Sequence, residues 1–341
     1  MTLVPGEAIR ATDYHTAGEP FRIVSDDVPP INGATVAEKR TSAQRSPHVN
    51  AMREFLCREP RGHANMYGCF IVDADDAGAD FGALFWHNDG FSTACGHGTI
   101  ALGTWAVQTG RVPANPDGVS HVTIDVPSGR VVAHVRQVDG LVRSVTFENV
   151  PSYVVRQSVG VHTSAGELEV DIAFGGALYA SLDAAAAGTT VTSENAPQLR
   201  QLGREIKDAL NQTSLSHHPV DPRLSGIYGV IFFERLDNTP EGPFQRNVTV
   251  FADGQIDRSP CGSGTAARLA LLANAGEIRP DQALRHESII GTQFIGRFRS
   301  APDSAPANAI IADVEGMAYK TGDHVFTLAD ADPLSSGFLL A

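Results

Sequence analysis

The sequence predicts a mixed α/β protein of the α+β type, built from two similar halves. A short phrase that opens with cysteine occurs twice, 166 residues apart, as Cys95-Gly96-His97-Gly98-Thr99 and Cys261-Gly262-Ser263-Gly264-Thr265. Each phrase leads into an apolar stretch of helical length that stops at a glycine. Short runs of alternating apolar and polar residues, typical of strands, surround both phrases.

The length of the chain also favours two domains. Its 341 residues exceed what one hydrophobic core usually serves. We expect an N-terminal half over 1–155 that carries Cys95 and a C-terminal half over 156–324 that carries Cys261, with the tail from about 325 to 341 packing back on the first half.

The elements follow in order along the chain. Residues 9–24 are typical of strand, loop and strand, and 35–57 of a helix that Pro47 interrupts. The first cysteine phrase follows two predicted strands, and the second follows a helix with a 3.6-residue period over 197–211 and two more strands. The short spacings favour antiparallel strands. The other predicted strands are 69–72, 81–86, 122–126, 130–135, 141–147, 153–155, 167–174, 177–181, 228–233 and 248–251.

Charge and composition exclude some functions. The formal net charge is −13 and the only lysines are Lys39, Lys207 and Lys320, so clustered basic residues for nucleic acid are missing. No apolar run approaches 18 residues, and the N-terminus lacks a basic segment followed by an apolar core. We therefore expect a cytoplasmic protein without membrane or nucleic-acid partners.

The cysteines do not form a disulfide framework or a zinc site. Four cysteines in so long a chain are too few for the former, and no pair has C-x-x-C spacing. Cys57 and Cys69 lie in a predicted helix and strand, where a free thiol packs as a small hydrophobe. The histidines show no metal-ligand spacing, and no lysine lies in a phosphate-binding context, so we expect neither a metal nor another cofactor.

The two cysteine phrases suit proton transfer at carbon. A thiol that opens a helix lies where the partial positive charge of the helix end stabilises thiolate. The flanking glycines leave backbone N–H groups free to bind a carboxylate. Two such thiols facing each other across one cleft could remove a proton from one face of a carbon and return one on the other. A cysteine hydrolase with Cys95 and His97 or His63 is a rival, but it leaves the second thiol unexplained.

Asp257, four residues before Cys261, could bind the ammonium group of a zwitterionic substrate or brace the turn before Pro260, and spacing alone leaves both open. His97 could hydrogen-bond a carboxylate or tune the thiol of Cys95.

Both cysteine phrases, together with several other motifs, resemble the proline racemase superfamily over nearly the whole chain. The further motifs are Asp13-Tyr14-His15-Thr16-Ala17-Gly18-Glu19-Pro20, Glu59-Pro60-Arg61-Gly62-His63, Met66-Tyr67-Gly68, Asp257-Arg258-Ser259-Pro260-Cys261-Gly262 and Ile290-Gly291-Thr292-Gln293-Phe294. The resemblance implies a fold like diaminopimelate epimerase, in which each half wraps strands around a central helix and the active site lies between the halves.

The resemblance also implies roles for individual residues. Cys95 and Cys261 would be the paired acid and base, and Asp257 with His97 would hold the ring nitrogen. The backbone of Gly96-His97 and Gly262-Ser263 would hold the substrate carboxylate. Tyr67 and Phe251 fall where the family places aromatic pocket walls.

The resemblance implies two different activities, depending on which residues are compared. Residues 59–68, 88–93 and 147–152 look most like the trans-3-hydroxy-L-proline dehydratase branch, which carries threonine where this chain has Cys261. We expect a racemase or epimerase acting on proline or hydroxyproline through two thiols. The alternatives are a dehydratase that needs only Cys95 and yields a cyclic imine, and a non-enzymatic amino-acid binding protein. A small cyclic amino acid is the expected ligand in each case, a homodimer is compatible with the sequence, and the two thiols could also form a reversible disulfide.

Overall fold

The computed structural model describes residues 8–340, and within that range it has five α-helices and eighteen β-strands. The helices are α1 (Val36–Arg45), α2 (Pro47–Cys57), α3 (Gly96–Gln108), α4 (Ala196–Asn211) and α5 (Gly262–Asn274). The strands of the first part of the chain are β1 (Ala8–Thr16), β2 (Glu19–Val24), β3 (Tyr67–Val72), β4 (Phe81–His87), β5 (Gly90–Phe91), β6 (Val119–Val126), β7 (Gly129–Val138) and β8 (Leu141–Glu148). The remaining strands are β9 (Tyr153–Thr163), β10 (Gly166–Phe174), β11 (Leu178–Asp183), β12 (Ile227–Arg235), β13 (Phe244–Phe251), β14 (Gln255–Ile256), β15 (Leu284–Ser288), β16 (Gln293–Ser300), β17 (Ile310–Gly316) and β18 (Ala318–Thr327).

The strands form two curved sets with matching order. One set runs β18-β1-β2-β3-β4-β6-β7-β8, and the other runs β9-β10-β11-β12-β13-β15-β16-β17. Antiparallel pairing of β8 with β17 joins the sets. Parallel pairs occur at equivalent places, β2 with β3 and β4 with β6 in one set, and β11 with β12 and β13 with β15 in the other. The mixed α/β class is confirmed, and the preference for antiparallel strands holds for all the other pairs.

A central helix lies inside each strand set. Every residue of α3 from Gly96 to Val107 is buried, as is every residue of α5 from Gly262 to Leu272. A helix that is apolar all round is stable only where protein surrounds it on all sides, and here the strands supply that surrounding. The strands therefore hold each helix in place, and each cysteine lies at the N-terminal end of its helix.

The C-terminal part of the chain returns to the first strand set. β18 pairs with β1 along its whole length, from Ala8 opposite Thr327 to Thr16 opposite Ala318. Farther on, the Arg61 guanidinium donates to the carbonyl oxygens of Leu334 and Ser335. In this way β18 takes, beside β1, the place that β9 takes beside β10.

The helix expected over 35–57 is two helices, as Pro47 suggested. Pro47 is the first residue of α2, and the Ser46 hydroxyl accepts the N–H of Val49 to cap that helix. Strands β15 to β18 were not predicted; β15 buries the polar residues His286 and Ser288, and β18 is exposed at most positions, so neither shows a clear alternation of apolar and polar residues. Among residues 8–340, no helix combines the length and the apolar character that crossing a membrane requires.

Candidate active site

The N-termini of the two central helices touch each other. A Cβ atom added to Gly96 would lie 2.6 Å from the Cα atom of Gly262, and one added to Gly262 would lie 2.7 Å from the Cα atom of Gly96. Backbone meets backbone at this contact, so no side chain fits on either residue. The two glycines therefore bring the positive ends of α3 and α5 to one point.

Each cysteine is the residue immediately before its helix, and a second glycine makes room for its sulfur. The Gly98 N–H donates to Cys95 Sγ at 3.2 Å, and a Cβ atom on Gly98 would lie 2.7 Å from that sulfur. In the second half a Cβ atom on Gly264 would lie 3.0 Å from Cys261 Sγ. Cys261 has a φ of 62°, in the left-handed region that non-glycine residues seldom adopt, and such strain is common at functional sites.

Both thiols line one narrow cavity. Its volume is about 10 Å³, close to the least that holds a single water molecule. The lining consists of Tyr67, Ala94, Cys95, Gly96, His97, Tyr179, Tyr228, Phe251, Asp257, Cys261 and Ser263. The structure thus brings together every residue that the sequence predicted for the site, with Gly262 forming the helix contact beside the cavity. Their roles stay predictions.

The electrostatics of the thiols differ from the sequence expectation. Burial raises the pKa of both Cys95 and Cys261, although the Gly98 N–H opposes this for Cys95. Negative charge on Asp257 and on the Cys261 sulfur also raises the pKa of Cys95, because like charges repel each other. The helix end therefore offsets only part of the cost of burying a thiolate, and the pair holds at most one negative charge.

Asp257 lines the cavity and braces the turn before α5, and its binding of an ammonium group stays a prediction. Its Oδ1 atom accepts hydrogen bonds from the N–H of Ser259 at 2.8 Å and from the Ser259 hydroxyl at 2.7 Å. The Ser259 oxygen in turn accepts the N–H of Cys261 at 3.1 Å. Burial raises the pKa of Asp257, while the Ser259 donors and Arg258 oppose that rise.

His97 is buried and neutral. Burial, with the nearby charge of Arg258, lowers its pKa to about 3. Its ring nitrogens lie 3.5 and 3.6 Å from Cys95 Sγ, and its ring packs edge-on against Tyr67 at 4.9 Å between centroids. A neutral imidazole here can donate one hydrogen bond without adding a charge.

Tyrosines form the remaining wall. The Tyr67 hydroxyl bonds to the Ser92 hydroxyl and, at 3.1 Å, to the Tyr228 hydroxyl, while the Tyr228 ring stacks on Phe251 at 5.8 Å. On the other side the Tyr179 hydroxyl lies 2.7 Å from Ser263 Oγ and 3.9 Å from Cys261 Sγ. Sequence reasoning missed Tyr179 and Tyr228.

A signal for Tyr228 existed. Tyr67-Gly68 opens β3, and the same dipeptide stands at the second and third positions of the equivalent strand β12 as Tyr228-Gly229. The duplication that revealed the cysteines extends to these residues. Tyr179 has no such counterpart, and its inward direction depends on the register of β11.

A larger cavity of about 340 Å³ adjoins the narrow one, and Tyr228 lines both. Its other walls come from both strand sets and include the cationic side chains of Arg40, Arg53 and Lys207. Within residues 8–340, no three His, Cys, Asp or Glu side chains are grouped to hold a metal ion.

Known proteins match the chain over nearly its full length. The proline racemase family profile matches residues 11–339. A trans-3-hydroxy-L-proline dehydratase from Bacillus cereus is 42% identical, over 96% of this chain and 97% of the relative. A proline racemase from Clostridioides difficile is 36% identical, over 98% of each.

The fold is also that of a solved relative. A hydroxyproline epimerase from Agrobacterium vitis, crystallised with bound trans-4-hydroxy-L-proline, superposes with a TM-score of 0.90 at 31% identity, covering 99% of this chain and 97% of the other. The resemblance inferred from the motifs is therefore confirmed, and this chain belongs to the proline racemase family.

Proposed function

We propose that this protein inverts Cα of proline or a hydroxyproline without a cofactor, using Cys95 and Cys261 as a pair of bases on opposite sides of the substrate. The observation that carries the proposal is the contact between the two helix ends, which places two thiols on the wall of one cavity. One cysteine acts as thiolate and takes the α-proton, and the other, as thiol, returns a proton to the opposite face.

The helix ends supply a site for the substrate carboxylate. The first N–H groups of a helix have no partner within the helix, and the Gly96, His97, Gly262 and Ser263 backbones all lie at these positions. When Cα loses its proton, negative charge spreads onto the carboxylate. The same donors then stabilise the transition state more than the ground state.

Burial of the thiols assists the reaction. A thiolate whose pKa is raised is a stronger base towards a weakly acidic C–H bond. Repulsion between the sulfurs disfavours two thiolates, and one thiolate beside one thiol is the charge state the reaction needs in either direction. The protonation states exchange with each turnover.

Asp257 and neutral His97 hold the ring nitrogen in this proposal. Asp257 is a buried carboxyl group on the cavity wall, and a secondary ammonium group is the charge that it would bind best. Aromatic side chains around the cavity, including Tyr67 and Phe251, would pack against the ring carbons. A cavity of about 10 Å³ must widen to admit a ring, so we infer that the two strand sets move apart on binding.

Proton NMR in D2O tests the proposal. L-Proline, trans-4-hydroxy-L-proline and trans-3-hydroxy-L-proline are incubated separately with the enzyme and no added cofactor. We expect deuterium at Cα together with inversion for at least one of them, and loss of inversion in both Cys95→Ser and Cys261→Ser. Inversion at an unchanged rate in both variants would exclude the two-thiol mechanism, and binding without any exchange would indicate a binding protein.

The identity to trans-3-hydroxy-L-proline dehydratases favours a second candidate. In that reaction Cys95 removes the α-proton, the 3-hydroxyl group leaves with a proton as water, and the resulting enamine tautomerises to a cyclic imine. One thiol suffices. The Cys261→Thr variant separates the two activities, because epimerisation requires the second thiol and dehydration does not.

A further inference from the structure

Glu19, at the start of β2, is completely buried beside the candidate site. Its side chain has an exposed fraction of 0%, and its Oε2 atom accepts the N–H of Arg258 at 2.8 Å and lies 3.0 Å from Arg258 Nε. Its Oε1 atom is buried with no hydrogen-bond donor near it. A buried carboxylate oxygen without a donor is unfavourable, so this arrangement favours a proton or a ligand at Glu19.

The Asp257 carboxyl adjoins Glu19, because Asp257 precedes Arg258 in the chain and Glu19 accepts the Arg258 N–H; the charge of Asp257 raises the pKa of Glu19, and a hydrogen bond between the two carboxyl groups would relieve this repulsion. Two carboxylates cannot donate to each other, so such a bond forms only when one of them carries a proton. Asp257 is itself 3% exposed. Two carboxylates in contact in a dry site do not both ionise, since each raises the pKa of the other.

Arg258 is the only cation that faces this pair among the described residues, and it lies between the two strand sets. Besides Glu19, its guanidinium donates to the carbonyl oxygens of Ile256 and Asn65. One positive charge balances one carboxylate. The second carboxyl group therefore holds a proton until another cation arrives.

We propose that Glu19 is a positioning residue that shares one proton with Asp257 across the two halves, and that this proton leaves for solvent when the ammonium group of a cyclic amino acid binds. The inference deepens the proposed function, on which it rests. Before binding, the pair carries one proton and one negative charge next to Arg258. After binding, both groups are carboxylates, and the charges of Arg258 and the ligand nitrogen balance them.

The other titratable groups around the pair do not take this role. Cys95, Cys261 and Tyr228 lie close enough to Asp257 for its charge to affect them, and burial raises the pKa of all three, so none of them supplies the positive charge that a second carboxylate would need. His97 is neutral because burial and Arg258 lower its pKa to about 3. Burial likewise raises the pKa of Glu19 well above its usual value.

Calorimetry of ligand binding measures the released proton directly. The Cys95→Ser protein, which cannot turn over, is titrated at pH 7 with each of the three amino acids named above, in phosphate and in Tris buffer. The two buffers differ in ionisation enthalpy, so the difference in heat counts protons. We expect about one proton to be released per ligand bound. In the same protein, Kd should fall about tenfold for each unit by which the pH is raised.

Two variants in this background locate the proton. With Glu19→Gln, Arg258 alone balances Asp257, so we expect proton release to vanish. Asp125→Asn is the matched control, since Asp125 is a buried carboxylate paired with Arg130 away from the cavity, and release should persist. The pH dependence of Kd tests the proposal without a Glu19 variant, should Glu19→Gln fold poorly.

The outcomes separate the two proposals. Binding without proton release and with a Kd independent of pH would overturn the shared proton and leave the proposed function standing. Release that persists in Glu19→Gln would also overturn it. If none of the three amino acids binds, both the shared proton and the proposed function are wrong.

Discussion

The contact between the helix ends predicts a large effect from one methyl group. In the Gly96→Ala variant the new Cβ atom would lie 2.6 Å from Gly262 Cα, 2.7 Å from its carbonyl carbon and 2.8 Å from Ser263 N. Ordinary contacts of this kind start at 3.4 Å, so the ends of α3 and α5 must separate by about 0.8 Å. All three atoms belong to backbone, so no side-chain rotation relieves the overlap.

Such a separation displaces the thiols and the carboxylate-binding N–H groups together. A displacement of about 1 Å at reacting groups costs about 100-fold in rate. We expect kcat/KM for racemisation or epimerisation to fall by about that factor in Gly96→Ala. The loss of melting temperature should be small, because each strand set can keep its own packing around its helix.

Gly103→Ala is the matched control. Gly103 lies in the same helix, and its added Cβ atom would lie 2.6 Å from the Cβ of Ala133. That clash falls inside one strand set, so it should lower the melting temperature more than the rate. Near-normal kcat/KM in Gly96→Ala, measured by polarimetry or chiral chromatography, would refute the claim that helix contact sets the position of the thiols.

Three further predictions concern charge and burial. The Asp257→Asn variant loses a charge-assisted hydrogen bond worth about 1.5–3 kcal/mol, which should lower kcat/KM about 10- to 150-fold, mainly by raising KM. An unchanged KM in steady-state assays would argue against binding of the ring nitrogen by Asp257. All four cysteines have raised pKa values because they are buried, so at high pH the folded state keeps protons that the unfolded state loses. The free energy of unfolding should therefore decrease as pH rises above about 9. Cys69→Ala should reduce the steepness of this decrease by up to about 1.4 kcal/mol per pH unit, measured by urea titrations at pH 8 to 10. Arg268 is buried 3.8 Å above the ring of Phe233 and donates to Gln245 and Ser181. Arg268→Ala leaves a cavity and unpaired acceptors, so it should lower the free energy of unfolding by about 2–5 kcal/mol, whereas a loss below about 1 kcal/mol in denaturant titration would show that water fills its place.

The sequence predicted those parts of the site that depend on local chemistry. The cysteines, the glycines and Asp257 lie in two short phrases, so their relation to the helix ends follows from position alone. The burial of the thiols did not follow, because it depends on strands far away in the sequence. The helix end therefore appeared more effective at stabilising thiolate than it is once Cys95 is enclosed.

Glu19 and Tyr179 show why the rest could not be predicted. Glu19 lies in a turn rich in glycine and polar residues, which is typical of an exposed loop, yet pairing of β1 with β2 and contact with Arg258 bury it. Tyr179 points at Ser263 only because β11 pairs in parallel with β12 in one register. The contact of Glu19 with Arg258 spans 239 residues of sequence and that of Tyr179 with Ser263 spans 84, and a single sequence does not reveal such contacts.

The duplication explains the symmetry of the site and also its limits. The thiols and the glycines recur in both halves, as do Tyr67 in β3 and Tyr228 in β12, and the proposed mechanism uses this symmetry because it removes and returns protons on two equivalent faces. The groups expected to hold the ring nitrogen do not recur. Asp257 corresponds by the repeat of 166 residues to Phe91, and His97 corresponds to Ser263. A substrate with one nitrogen and one ring must be held in one orientation while either face reacts. Two equivalent thiols allow reaction at either face, while Asp257 and His97, present in one copy each, fix the orientation of the substrate. The proposed shared proton of Glu19 and Asp257 belongs to this second, asymmetric group.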